Sequence, residues 1–226
     1  MTTGTSFGLY KVWPFYIHGG FRPCFYLSSW EMGGIHTKVA AVSGYKPMEL
    51  GIFDHNTQAI YYIKKAIEKE IQCLLEEGLE WVLISGQLGV ECWAADVVLN
   101  MRQEYPELRL AVLTPFLEQE KNWNETNKNL YYEILENADF VDSISKQPYT
   151  GPWQFQNRNQ LFLYKSDALI LVYDEEKEGS PKFLYQQAKR YQERNPSYVI
   201  KQITFFDLQS IVEEEQWKNP EWQVRD

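Results

Sequence analysis

The chain has 226 residues, 44% of them hydrophobic and 23% charged, with a formal net charge of -9. That is enough chain for one α/β domain with a sizeable core, and no apolar run approaches the roughly 20 residues of a membrane span. The acidic balance counts against a nucleic-acid partner, which favours a basic face, and against anionic membrane surfaces.

Residues 1–37 read as an extension apart from the rest. They are rich in aromatics and glycine and show no sustained period. Pro14, His18 and Gly19–Gly20 break up any signal-peptide core, and Met32 stands as a natural start just before the first strand. The expectation is a poorly ordered segment or one added by an early start, with an aromatic arm docking on a partner as the alternative.

From Lys38 the chain alternates. "KVAAVSG" (38–44) is a short apolar run ending at glycine, the pattern of a buried strand. In 57–78, Ile60, Ile63, Ile67, Ile71 and Leu74 share one helical face, and Gly78 is a C-cap signal. "EWVLISG" (80–86) is the second strand and 90–105 the next helix. "LRLAVLTPF" (108–116) is the third strand, followed by a helix over 124–138 and a short strand over 139–145. Pro152 opens a helix over 152–166, "DALILVYD" (167–174) is a strand, and Ser180–Pro181 open a helix to 194. A last strand spans 198–205, and the acidic segment after Asp207 adds at most a short helix. The domain is expected over 38–215, with 216–226 as an acidic tail.

Apolar strands separated by helices predict a Rossmann-like, doubly wound, mainly parallel sheet with helices on both faces. Ligands in such sheets sit beyond the carboxyl ends of the strands, so the segments after each strand are the ones to read. In 85–91, Ser85, Gly86, Gln87 and Gly89 end a strand and open a helix. Glycine lets a backbone approach a ligand, and helix-start N–H groups favour a phosphate or carboxylate. Glu91 is then placed to accept a ribose hydroxyl; its bland alternative is to favour the helix dipole. Neither the dinucleotide G-x-G-x-x-G nor the P-loop occurs at this turn.

Ser43, Gly44 and Lys46 follow the first strand and would form an adjoining wall, with Tyr45 a candidate to stack on a base. After the third strand Thr114 could donate to a phosphate, Phe116 reads as core, and Trp123 as more open. Gly179 and Ser180 give a fourth strand end at a helix start. Three cysteines with no C-x-x-C, and three scattered histidines, signal neither a disulfide framework nor a metal site, which fits a cytoplasmic protein. Cys92 reads as a small buried side chain.

With "SGYKPMELGIF", "EEGLEWVLISGQLGVE", "AVLTPF", "EKNW" and "KSDALILVYDEEKEGSPKF" in view, the chain resembles the YpsA-like family of uncharacterised bacterial proteins in the SLOG superfamily, over about residues 38 to 215. The resemblance implies a Rossmann-like fold binding a nucleotide-derived ligand of the AMP, ADP-ribose or NAD type on the glycine-bearing loops, more as sensor or regulator than as enzyme. Relatives in that superfamily often dimerise, so a homodimer is an open expectation; no cofactor is assigned. DNA-processing protein A has a similar glycine turn and binds single-stranded DNA, which gives one alternative. The "Lonely Guy" hydrolases of nucleotide N-glycosidic bonds give another. Arg158 stands where those enzymes carry an arginine, and Gly179–Ser180 look like their G-T. Their two acidic positions fall on Lys182 and Phe183 here, and the P-G-G is missing. Glu91 and Arg158 are therefore the only catalytic candidates, with Glu178 as a substitute carboxylate. A partner-binding protein with a vestigial pocket is the remaining alternative.

Overall fold

A computed structural model describes residues 37–218 other than 55. The expectations for residues 1–36 and 219–226 lie outside the described residues. Six strands form one sheet in the order β4-β3-β2-β1-β5-β6, and every neighbouring pair is parallel. The strands are β1 Val39–Gly44, β2 Trp81–Ile84, β3 Arg109–Phe116, β4 Phe140–Ser145, β5 Ala168–Val172 and β6 Val199–Ile203. The central four are buried along nearly their whole length, as expected of strands covered on both faces.

The helices are α1 Gln58–Glu76, α2 Val90–Met101, α3 Glu125–Asn137, α4 Trp153–Lys165, α5 Pro181–Arg194 and α6 Phe205–Lys218. The expected stripe of α1 is buried. The helix ends where Leu79 N–H bonds the Leu74 carbonyl and Gly78 N–H that of Leu75, with Gly78 at φ 98°. Such a cap satisfies the last carbonyls and needs a residue free to take positive φ. Asn124 caps α3 by accepting from Asn127 N–H. Two elements differ from the sequence expectation. A single 3-10 turn, Pro47–Leu50, follows β1, and α6 runs 14 residues rather than being short. The latter continues three residues into the expected tail.

Right-handed crossovers put α1, α2 and α3 on one face of the sheet and α4 and α5 on the other. The packing agrees: α1 contacts α2 and α6, α2 contacts α3, and α4 contacts α5. Successive strands are added toward one edge from β1 to β4 and toward the other from β5 to β6, so the topological switch point lies at the ends of β1 and β5. No helix among the described residues is long and apolar enough to cross a membrane.

Candidate functional site

Side chains from both faces of the sheet meet over the carboxyl ends of β1 and β2. Glu91, in the first turn of α2, is only 3% exposed. Its Oε1 accepts from the Ser43 hydroxyl at 2.8 Å and from Arg158 Nη1 at 2.8 Å. Its Oε2 accepts from the Ser85 backbone N–H at 2.7 Å, the Ser85 hydroxyl at 2.6 Å and the Gln87 N–H at 3.3 Å. Arg158 reaches over from α4; its Nη1 also bonds Ser85 Oγ at 3.2 Å, and its guanidinium lies over the Phe162 ring. One carboxylate thus holds the ends of β1 and β2 and the face of α4 together.

The turn after β2 does present N–H groups to an anion, and that anion is the chain's own Glu91. Both of its oxygens are engaged, so in this state it offers a ribose hydroxyl no unshared oxygen. What remains open chemically lies beside it. Among the described residues Arg158 Nε is buried without a partner, and so is Gln119 Oε1, while Gln119 Nε2 donates to the Ser85 carbonyl at 2.9 Å. A buried unpaired donor and a buried unpaired acceptor thus flank Ser85, each carrying a desolvation cost of about 1–3 kcal/mol.

The glycines have a physical account within the chain. Gly89 sits at φ 100° and ψ -132°, and a Cβ there would lie 2.5 Å from the Tyr45 carbonyl. Val90 N–H bonds that same carbonyl at 3.2 Å, so the loop after β1 docks directly on the start of α2. Gly86, at φ 72°, faces the Tyr131 ring, and Gly44 faces Val90 and the Val172 carbonyl. These residues clear space for neighbouring protein.

Tyr45 is fully buried and does not offer a face for stacking on a base. Its ring stacks on Phe205 and packs against Gly179, whose Cβ would fall 2.6 Å from it. Its hydroxyl donates toward the carbonyls of Lys177 (2.6 Å) and Asp174 (3.0 Å) and accepts from Asp174 N–H (3.1 Å). Tyr45 therefore fills the switch point between β1 and β5. Burial there pushes its hydroxyl above the usual tyrosine range.

The model of the YpsA family, described as the YspA SLOG family, matches residues 40–208. The chain belongs to this family. A UPF0398 protein of Bacillus cereus strain B4264 is 56% identical over 184 residues, 81% of this chain and 100% of that protein. A UPF0398 protein of Bacillus thuringiensis strain Al Hakam is 55% identical over the same extent. Among solved structures, DNA processing protein A from Helicobacter pylori, described for its single-stranded DNA binding mode, aligns with a TM-score of 0.45 and 18% identity over 81% of this chain and 83% of that one.

In this YpsA-family chain, the residues singled out in the sequence fall into two groups. Ser43, Ser85, Gln87, Glu91 and Arg158 come together in one hydrogen-bonded cluster. Gly179 and Ser180 belong instead to the β5 side with Lys46: Glu49 accepts from the backbone N–H groups of Lys46 and Ser180 and from the Ser180 hydroxyl, tying two strand ends together. Thr114 is buried on β3. Sequence reasoning missed Gln119 and Glu49. Glu49, three residues after Lys46 at the start of a turn, carried a signal for the local half of its role; Gln119 in a polar loop carried none. Cys92 is buried as expected, its thiol near the carbonyls of Gln87 and Gly86.

Proposed function

We propose that this protein binds a nucleotide-type ligand at the carboxyl ends of β1, β2 and β3, with Arg158 receiving its anionic group. The observation that carries the reading is the Glu91–Arg158 pair. Two charges are held out of water over the carboxyl ends of β1 and β2, beside the switch point that Tyr45 fills, and the guanidinium uses Nη1 alone in its charged contact. Arginine presents a planar fork that matches phosphate or carboxylate through two N–H groups. Arg158 Nε has no partner among the described residues and is left for that purpose. Half-exposed Lys46 and Gln87, at the ends of β1 and β2, extend the polar rim. The ligand class follows what the family resemblance implies.

The reading is binding without turnover. Hydrolysis of an N-glycosidic bond needs a carboxylate facing the sugar, and Glu91 spends both oxygens on five donors. Glu178, the substitute, lies exposed and paired with Lys182.

Thermal melts with AMP, ADP, ADP-ribose, NAD and a cyclic dinucleotide test this. A ligand at 100 times its Kd adds about 2.7 kcal/mol, and each kcal/mol moves Tm by about 2–4 °C for a chain of this size. A true ligand raises Tm by several degrees in wild type. In Arg158→Lys, which keeps the charge beside Glu91 but loses the fork, the rise disappears. No rise with any of the five overturns the reading.

A further inference from the structure

With Tyr45 committed to the switch point, a planar ring bound near Arg158 needs a different surface. One lies on the α4 side of β3. Phe116, Tyr149 and Phe155 pack mutually, with ring centroids 5.1, 5.5 and 6.0 Å apart. They come from three separate places: the end of β3, the loop after β4 and the first turn of α4. Backbone pairing of Leu117 N–H with the Gln147 carbonyl ties the first two together. A cluster built in this way normally closes over as a small core. This one does not: Tyr149 is 53% exposed, and Leu117 and Trp153 nearby are 41% and 42% exposed. A packed aromatic trio with one ring left open to solvent offers a face on which a flat ligand can stack.

Its position ties it to the site. Phe155 and Arg158 are three apart on α4, so their side chains are neighbours on the helix surface. Phe116 lies on the part of β3 that extends past the end of β2, where Ile84 pairs with Val112 and Ser85 begins the turn. Phe155 therefore stands about one helical turn before Arg158 along α4, and Phe116 beyond the end of β2.

We propose that Phe116, Tyr149 and Phe155 form a stacking subsite for the planar heterocycle of the ligand whose anion Arg158 holds. This rests on the nucleotide reading and deepens it. Every heterocyclic base has a π-face, and stacking on an aromatic side chain is tolerant of which base it is. Tyr149, as the most exposed of the three, presents the contact face.

Equilibrium titrations with AMP, ADP, ADP-ribose and NAD, all of which carry adenine, test it on wild type, Tyr149→Leu, Tyr149→Trp and Arg158→Lys. Tyr149 is more than half exposed, so its variants should melt close to wild type. The expected result is affinity on the order of tenfold weaker in Tyr149→Leu, from lost base stacking, and retained in Tyr149→Trp, because leucine keeps apolar contact and only an aromatic ring stacks. Binding lost in Arg158→Lys yet unchanged in Tyr149→Leu overturns the stacking subsite alone. Equal weakening in Tyr149→Leu and Tyr149→Trp overturns it too, since an aromatic then serves no better than an aliphatic. If wild type binds none of the four, both the nucleotide reading and the subsite fall. Light scattering on the same samples covers the other occupant: a dimer that Tyr149→Leu dissociates would assign this face to a second copy and overturn the proposal.

Discussion

The Glu91 carboxylate and the Arg158 guanidinium meet 2.8 Å apart although they come from helices on opposite faces of the sheet. Removing one member of a buried pair leaves the other charged and unpaired, which costs about 3–5 kcal/mol. Arg158→Met should therefore lower the unfolding free energy by about that much, a fall in Tm of roughly 6–20 °C. Glu91→Gln should be comparably damaging, because Ser43 and Ser85 lose their charged acceptor as well. The double variant should be far more stable than the sum of the two losses implies. Urea melts of all four proteins give the coupling directly. Losses that add to within about 0.5 kcal/mol would mean that the two side chains do not depend on each other.

Gly89 and Gly51 both hold positive φ, yet they should respond differently to alanine. At Gly51, φ is 71° and nothing lies within 4 Å of an added Cβ, so only left-handed strain of about 1–2 kcal/mol applies. At Gly89, φ of 100° with ψ of -132° lies outside the region that other residues visit, and the Tyr45 carbonyl blocks the new atom at 2.5 Å. Gly89→Ala should incur backbone strain of about 1–3 kcal/mol and lose the docking of the β1 loop in addition. Equal shifts in denaturant midpoint for the two variants would remove the packing explanation for Gly89.

The four central strands were legible because each is an apolar run that is buried on both faces, and α1 because its isoleucines recur at helical spacing. Ser85, Gly86, Gln87 and Gly89 were legible as a special turn, but what they accommodate was not. The carbonyl that requires Gly89 belongs to Tyr45, on another strand, and only the parallel pairing of β1 with β2 brings it there. Tyr45 itself looked like a base-stacking residue because it follows a strand. Its burial follows from strand order: β5 lies beside β1, and Phe205 and Gly179 close over the ring. Arg158 was legible as a candidate through family resemblance, whereas its partnership with Glu91 spans 67 residues of chain and depends on the crossover that carries α4 to the other face.

Cys92 and Cys73 should separate cleanly by reactivity. Burial pushes the Cys92 thiol far above its ordinary range, and the neighbouring Glu91 carboxylate adds to the effect. Thiolate is the reactive form, and Cys92 is buried whereas Cys73 is exposed. Iodoacetamide applied to the native protein near neutral pH should label Cys73 completely while leaving Cys92 unmodified, as read by peptide mass spectrometry. Denaturant should release Cys92 to the reagent. Labelling of both at one rate in native protein would show that the start of α2 opens readily.

Alkaline pH should destabilise the fold through buried tyrosines. Burial raises the hydroxyl of Tyr131 to about 12 and that of Tyr198 further, and it raises Tyr45 as well. Unfolded tyrosine titrates near 10. Between that value and the native one, the folded chain keeps protons that the unfolded chain has released. Stability then falls with rising pH, because its slope follows the protons bound by the unfolded state minus those bound by the native state. The contribution is complete below pH ~10 and is lost progressively as pH climbs through ~12. Exposed tyrosines such as Tyr132 contribute little, since solvent screens them. Tyr198→Phe is the informative variant. Among the described residues its hydroxyl bonds the Ser166 hydroxyl alone, at 2.9 Å, and Ser166 keeps its bond to the Phe162 carbonyl. The variant should lose about 1 kcal/mol near neutrality and show a shallower decline in urea midpoint at alkaline pH. A decline as steep as that of wild type would mean that groups other than Tyr198 drive the alkaline transition.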